Sequence, residues 1–177
     1  MQPKLIHHVG ILVEDLEEAI ERWERITGYT FGPIHRYRSS HYHDSSEVDE
    51  HLHDARLSFS REGAPHIELL EATGTGTHGV ANLGVHHLAF VDYDDLEAEH
   101  ERVTGLGLMV DGRDVNAAGE LLLLFTDPPS TDHVRLEFVS PREHPNVMDD
   151  GSPMWRNPAT GRFDAWRPDG LDWRGRR

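Results

Sequence analysis

Ile6-His7-His8-Val9-Gly10-Ile11-Leu12-Val13 is the stretch whose reading decides the fold, because Val85-His86-His87-Leu88-Ala89-Phe90-Val91 repeats it further along the chain. The first copy lies in a strand-like run, Leu5 to Val13, with β-branched and apolar residues alternating. Val9, Ile11 and Val13 share one face, and His8, Gly10 and Leu12 share the other. In the second copy Leu88 and Phe90 are the apolar partners. A helix pattern follows each strand. Asp15 is placed to cap the first, with Glu18 three residues on completing a capping box. Leu16, Ala19, Ile20, Trp23 and Ile26 then form an apolar stripe before Gly28. Asp95 caps the second, where Leu96, Val103 and Leu106 give a weaker stripe before Gly107. His8 to His87 is 79 residues and Asp15 to Asp95 is 80, so one residue is inserted between strand and helix. Two copies are too few for a solenoid; duplication of one unit fits.

Further strands are expected in each half: Arg56 to Ser60 and His66 to Glu71 in the first, Leu121 to Phe125 and Val134 to Val139 in the second. Short strands near Pro33 to Arg36 and Leu108 to Val110 complete two tandem βαβββ modules. The expected class is α+β. The first module spans residues 1–73 and the second 84–140, joined by a glycine- and threonine-rich linker within one structural domain. Residues 39–54 are polar, and their His41, His43, His51 and His53 read as a loop shaping a pocket mouth. From 141 to 177 the pattern is an irregular Trp/Arg-rich tail holding Trp155, Trp166 and Trp173.

Composition narrows the function. The 177 residues carry 32 acidic and 17 basic side chains, a formal charge of −15. That balance argues against a nucleic-acid partner, which needs positive charge to displace counterions from phosphates. With no cysteine, disulfides, thiolate metal sites and a cysteine nucleophile are excluded. No apolar run reaches membrane-spanning length, so a cytoplasmic protein without membrane partners is expected. Fourteen histidines are the unexplained excess.

Strand alternation gives some of them a place. His66, Glu68 and Leu70 oppose Ile67 and Leu69; Arg135, Glu137 and Val139 oppose Leu136 and Phe138. Four strands thus turn an apolar face to a helix and one potential metal ligand each to the other side: His8, Glu68, His87 and Glu137. Two imidazoles and two carboxylates on an otherwise small or apolar face suggest a site rather than a solvated surface. His7 and His86 fall on the helix side, with a supporting role, and Glu120 is placed near the cleft rim.

The segments I-H-H-V-G-I-L-V-E-D-L-E-E-A-I, H-I-E-L-L, V-H-H-L-A-F-V and V-R-L-E-F-V, in order across residues 5–140, resemble the vicinal oxygen chelate superfamily. That family includes glyoxalase I, methylmalonyl-CoA epimerase, extradiol dioxygenases and bleomycin-resistance proteins. The resemblance implies paired modules forming a curved mixed sheet around a metal-binding cleft, with a divalent metal held by His8, Glu68, His87 and Glu137 and with Glu68 and Glu137 as catalytic carboxylates. Imidazole and carboxylate suit Zn, Ni, Co, Mn or Fe. It further implies a metal-dependent isomerase, epimerase or glyoxalase-like lyase that transfers a proton next to a chelated carbonyl of a small-molecule substrate, and a homodimer. The alternatives are an Fe(II) ring-cleaving dioxygenase and a non-catalytic ligand-sequestering protein. Two departures stand out. Where the epimerase branch has a second carboxylate before Glu68, this chain has Leu57, Ser58 and Phe59. The glutathione-binding arginine of glyoxalase I is also missing from I-H-H-V-G-I.

Overall fold

A computed structural model describes residues 3–63, 65–74 and 76–154. The chain runs β1 (His8–Val13), α1 (Leu16–Thr27), β2 (His35–Asp44), β3 (Glu47–Phe59) and β4 (His66–Glu71). It repeats that order as β5 (Gly84–Phe90), α2 (Leu96–Gly105), β6 (Val110–Val115), β7 (Leu121–Thr126) and β8 (Leu136–Val139), then adds β9 (Asn146–Met148). The expected α+β class with a curved mixed sheet is present. Both helices start where their caps sit: Asp15 accepts from the Glu18 amide and Asp95 from the Ala98 amide, at 2.8 and 2.9 Å. Gly28 ends α1 at φ 78°, a left-handed backbone that a side chain would strain.

The sheet order is β3-β4-β1-β5-β8-β7-β6-β2, and the β2–β3 hairpin closes it on itself, with β9 added outside β2. An eight-stranded barrel is just wide enough for side chains to fill its interior. Here Leu12, Tyr37, Tyr42, Leu57, Phe59, Leu70, Leu123, Phe125 and Val139 do so. The opposite faces pack under helices. Val13 and Leu69 meet Leu16 and Ala19 of α1, while Leu124 and Phe138 meet Leu96 and Val103 of α2. Leu16 and Leu96 are fully buried, each contributing about 2 kcal/mol of apolar transfer.

Residues 39–54 are not a loop. They belong to the longest hairpin of the molecule, β2 and β3, with Tyr37 opposite Ala55 and Ser39 opposite His53. Their polar composition hides a period of two in which His35, Tyr37 and Ser39 are buried while Arg38 and Ser40 are exposed. The short strands expected near Pro33 and Leu108 lie instead at His35–Asp44 and Val110–Val115. The expected irregular tail also begins with order, since β9 pairs with β2, Met148 opposite His35. Asp149 fixes that strap by accepting from Arg36 Nε and Arg56 Nε, both at 3.0 Å. The three tail tryptophans lie outside the described residues.

Candidate metal centre

The register of the four central strands assembles the site. In one row Glu68 of β4 pairs with Gly10 of β1, and Gly10 with His87 of β5. In the next, His8 of β1 pairs with Ala89 of β5, and Ala89 with Glu137 of β8. Each row is a histidine, a small residue and a glutamate, related by the internal repeat that makes His8 equivalent to His87 and Gly10 to Ala89. The small residue leaves room for rings to lie across the strand between the ligands. A methyl on Gly10 would sit 2.5 Å from His87 Nδ1 and closer still to its Cε1 and Nε2.

All four side chains are buried, and their polar atoms converge. His8 Nε2 and His87 Nε2 are 3.1 Å apart. Glu68 Oε2 lies 3.1 Å from His87 Nε2 and 3.4 Å from His8 Nε2. Glu137 Oε2 mirrors it, 3.1 Å from His8 Nε2 and 3.4 Å from His87 Nε2. Among the described residues, His8, His87 and Glu137 are the one group of three donors whose ligand atoms all fall within 4.8 Å of one another. Glu68 lies near both imidazoles but outside that group. His41 Nδ1 and Glu50 Oε2, 2.9 Å apart, form an exposed hydrogen-bonded pair on the hairpin instead. Glu120 lies exposed at the β6–β7 turn, held by Asn116 at 2.7 Å, and takes no part in the centre.

Protonation states follow from the surroundings. Burial depresses His8 to about 4 and His87 to about 3, against the smaller opposing pull of Glu68 and Glu137. Burial likewise raises both carboxyls, Glu68 and Glu137, with the neighbouring imidazoles pulling back less strongly. Each charged form is unfavourable without a partner of opposite charge. The tautomer of His87 is also set. His86 Nε2 lies 2.8 Å from the Thr77 carbonyl, which only accepts, so Nε2 carries the hydrogen. His86 is neutral, its pKa pushed well down by burial and then by His87 and Arg135. Its Nδ1 therefore accepts from His87 Nδ1 at 2.9 Å, leaving a lone pair on His87 Nε2 aimed into the centre. A ligand imidazole fixed through its other nitrogen is the arrangement metal sites use. His7 Nδ1 stands in the matching place, 3.0 Å from His8 Nδ1.

The donor set fits a divalent cation. Lone pairs of two imidazoles and two carboxylates face one another, and Glu137 Oε2 is buried without a hydrogen bond of adequate geometry. A cation among His8, His87 and Glu137 would satisfy those three at once. His86 corrects the sequence expectation, since it packs against His78 and Phe125 rather than on the helix side. The cause is a register shift between Gly10 and Ile11, which leaves an extra residue in β5 at this point. His86→Phe is expected to weaken metal affinity about 10- to 100-fold with the fold retained, measured by competition with a chromophoric chelator. Unchanged affinity would show that the His86 contact does not orient His87.

A model of the Glyoxalase/Bleomycin resistance protein/Dioxygenase superfamily matches residues 7–121. The chain belongs to that superfamily. Among solved structures, this superfamily member is similar to Streptomyces coelicolor methylmalonyl-CoA epimerase in complex with 2-nitronate-propionyl-CoA. The two share 23% identity over 78% of this chain and 95% of that one, with a TM-score of 0.53. A hypothetical protein from Bacillus halodurans aligns at 19% identity over 80% and 97% of the two chains, TM-score 0.55. Methylmalonyl-CoA epimerase from Mycobacterium tuberculosis aligns at 20% over 80% and 93%, TM-score 0.52. At these identities the likeness is one of fold. No curated protein matches the chain.

Of the other chamber residues, the sequence places His53 at a pocket mouth but does not single out Tyr37, Tyr42 or His78. Tyr37, Tyr42, His53 and His78 line the chamber beside Glu68, His87 and Glu137. Behind Tyr37, Asp114 is fully buried and accepts from the Tyr37 and Ser39 hydroxyls, the latter at 2.6 Å. The only available signal was the alternation of β2.

Proposed function

We propose that this protein is a divalent-metal-dependent enzyme that moves a proton next to the carbonyl of a small oxygenated substrate, as an isomerase, epimerase or lyase. The convergence of the buried donor atoms of His8, Glu68, His87 and Glu137 carries the reading. When bound, the ion supplies Lewis-acid polarisation of substrate oxygens and so acidifies the adjacent C–H. Zn, Ni, Co, Mn and Fe all suit the donors. The chain's own contribution is threefold. His8 and His87 hold neutral lone pairs in place. Glu68 or Glu137, on loosening its hold on the ion, is placed to take a proton from carbon and return it. The apolar barrel interior keeps water from competing. Both ligand rows come from one chain, so the centre needs no partner subunit; a homodimer and a cytoplasmic setting remain part of the proposal. Among the described residues, no helix is long and apolar enough to cross a membrane.

Two measurements test the reading. Protein purified without added metal should carry close to one divalent ion per chain by elemental analysis. It should also exchange the α-hydrogens of hydroxyacetone into D2O. Glu137→Gln is expected to weaken metal affinity about 100-fold, roughly 3 kcal/mol, and to lower exchange by two orders of magnitude or more, on the order of a general base's contribution. Full exchange by the metal-free variant would refute the proposal.

A second reading has an observation of its own. His8, His87 and Glu137 make a compact two-histidine, one-carboxylate group without Glu68, the donor set used for Fe(II) oxygenases. Catechol-dependent O2 uptake by the iron-loaded protein, absent with zinc, would select the ring-cleaving dioxygenase.

A further inference from the structure

Two cavities meet at one wall. The inner chamber holds only ≈ 20 Å³ and is lined by Glu68, His87 and Glu137 together with Tyr42, His53 and His78. That is room for about one water. A second pocket of ≈ 270 Å³ lies at the surface of the hairpin, where Leu52 and Glu47 are exposed. His53 and His78 line both. Their rings lie 4.6 Å apart, and the His53 ring stacks on Tyr42 at 4.2 Å. His53 is nine-tenths buried, and among the described residues its imidazole makes ring contacts but no hydrogen bond. An imidazole with no hydrogen bond to the protein, at the junction of two cavities, has hydrogen-bonding capacity left for an occupant.

We propose that the outer pocket is the second half of a bipartite substrate site, reached through the His53–His78 wall, and that it takes the uncharged or cationic polar part of a compact hydroxycarbonyl compound. The inner chamber accommodates an atom or two, so the remainder of any substrate projects outward past His53. The outer lining sets its chemistry. His51, His53, His78 and Thr73 offer hydrogen bonds, while the charged side chains on the wall are Asp44, Glu47 and Asp54, with no lysine or arginine. Asp54 is paired with Arg36 at 3.0 Å. Asp44 is held by the Thr77 amide and hydroxyl, both at 3.1 Å, and its pKa falls as those and the Ser46 donors outweigh burial. It is therefore an anion facing the pocket. A polyphosphate carrier such as coenzyme A meets repulsion here, whereas a hydroxyl or ammonium finds acceptors.

Assigning the inner chamber rests on the metal reading above; occupancy of the outer pocket does not. The test follows the imidazole ¹H–¹⁵N signals of labelled protein, metal-free and zinc-loaded, during titration with hydroxyacetone and, separately, with coenzyme A. Hydroxyacetone should move the His53 and His78 signals saturably in both forms, and coenzyme A at equal concentration should leave them in place. His53→Trp, which fills the wall, should weaken hydroxyacetone binding at least about tenfold, roughly 1.4 kcal/mol, with zinc content per chain unchanged. Failure of hydroxyacetone to move these signals overturns the proposal. So does an equal response to coenzyme A, or wild-type binding by the tryptophan variant. Failure to take up zinc would instead refute the metal centre, while the metal-free titration still decides the pocket. If the tryptophan variant does not fold, the wild-type comparison of the two probes decides alone.

Discussion

Gly10→Ala is expected to weaken metal affinity by at least about 1,000-fold, roughly 4 kcal/mol, although Gly10 offers no ligand. The His87 ring lies across the Gly10 backbone, so an added methyl would come within 2.5 Å of Nδ1 and closer to Nε2 and Cε1. The ring has two responses. It can stay and force β1 and β5 apart, against an overpacking cost of about 1–3 kcal/mol. It can also swing away, losing the Nδ1 contact to His86 at 2.9 Å and withdrawing Nε2 from His8 and Glu68. Either way the donor set is broken. Competition with a chromophoric chelator measures the loss. Ala89→Gly is the control, because Ala89 occupies the equivalent place in the other row. It should leave affinity within a few-fold and lower stability by about 0.5–1 kcal/mol, the cost of an extra glycine. Wild-type affinity in Gly10→Ala would mean that His87 does not use this pose to bind metal.

The same row explains what the sequence could disclose. Period-two alternation in apolar strands assigned faces correctly for Leu69 and Phe138 under the helices and for Leu70 and Val139 inside the barrel. The cap residues Asp15 and Asp95 fixed both helix starts. Each of these signals is local, made of residues within one element. The β2–β3 hairpin escaped because its strand pattern is written in His, Arg, Ser and Tyr, a composition that reads as solvated loop. Only pairing with β6 and β9 and closure of the barrel bury its inner face. The position of His86 escaped for a related reason, since a register shift exists only between two strands. The chamber wall of Tyr37, Tyr42 and His53, with Asp114 behind it, thus depended on tertiary pairing. The ligand strands did not, because their histidines and glutamates interrupt otherwise apolar runs.

The histidine excess should make the metal-free protein acid-labile, with about 6 kcal/mol of stability lost between pH 7 and pH 5. Burial depresses His35, His53 and His144 to about 4, with weaker raising influences from Pro33 O at His35, from Asp44 and Asp54 at His53, and from Ser140 O at His144. A histidine whose folded pKa lies below its unfolded value of about 6.5 binds fewer protons folded than unfolded as the pH drops. Its stability contribution is therefore intact above about pH 6.5 and declines as pH falls toward 4. At pH 5 each such group costs about 2 kcal/mol, so the three together approach half of a typical domain's stability. His78 and His86, also pushed down by burial, add in the same direction. At the centre the terms oppose one another. His8 and His87 are depressed and destabilise on acidification, while Glu68 and Glu137 are raised, bind protons in the folded state and stabilise it. The net effect accordingly belongs to the histidines outside the ligand set. Urea unfolding of metal-free protein at pH 7 and pH 5 should show the midpoint falling by about 2–3 M, for a slope near 2 kcal/mol per molar. His144→Gln should reduce that pH-dependent loss by about 2 kcal/mol, because glutamine has no proton to gain. A midpoint independent of pH, or a variant as acid-sensitive as the wild type, would mean that these imidazoles are protonated as readily in the folded barrel as in the unfolded chain.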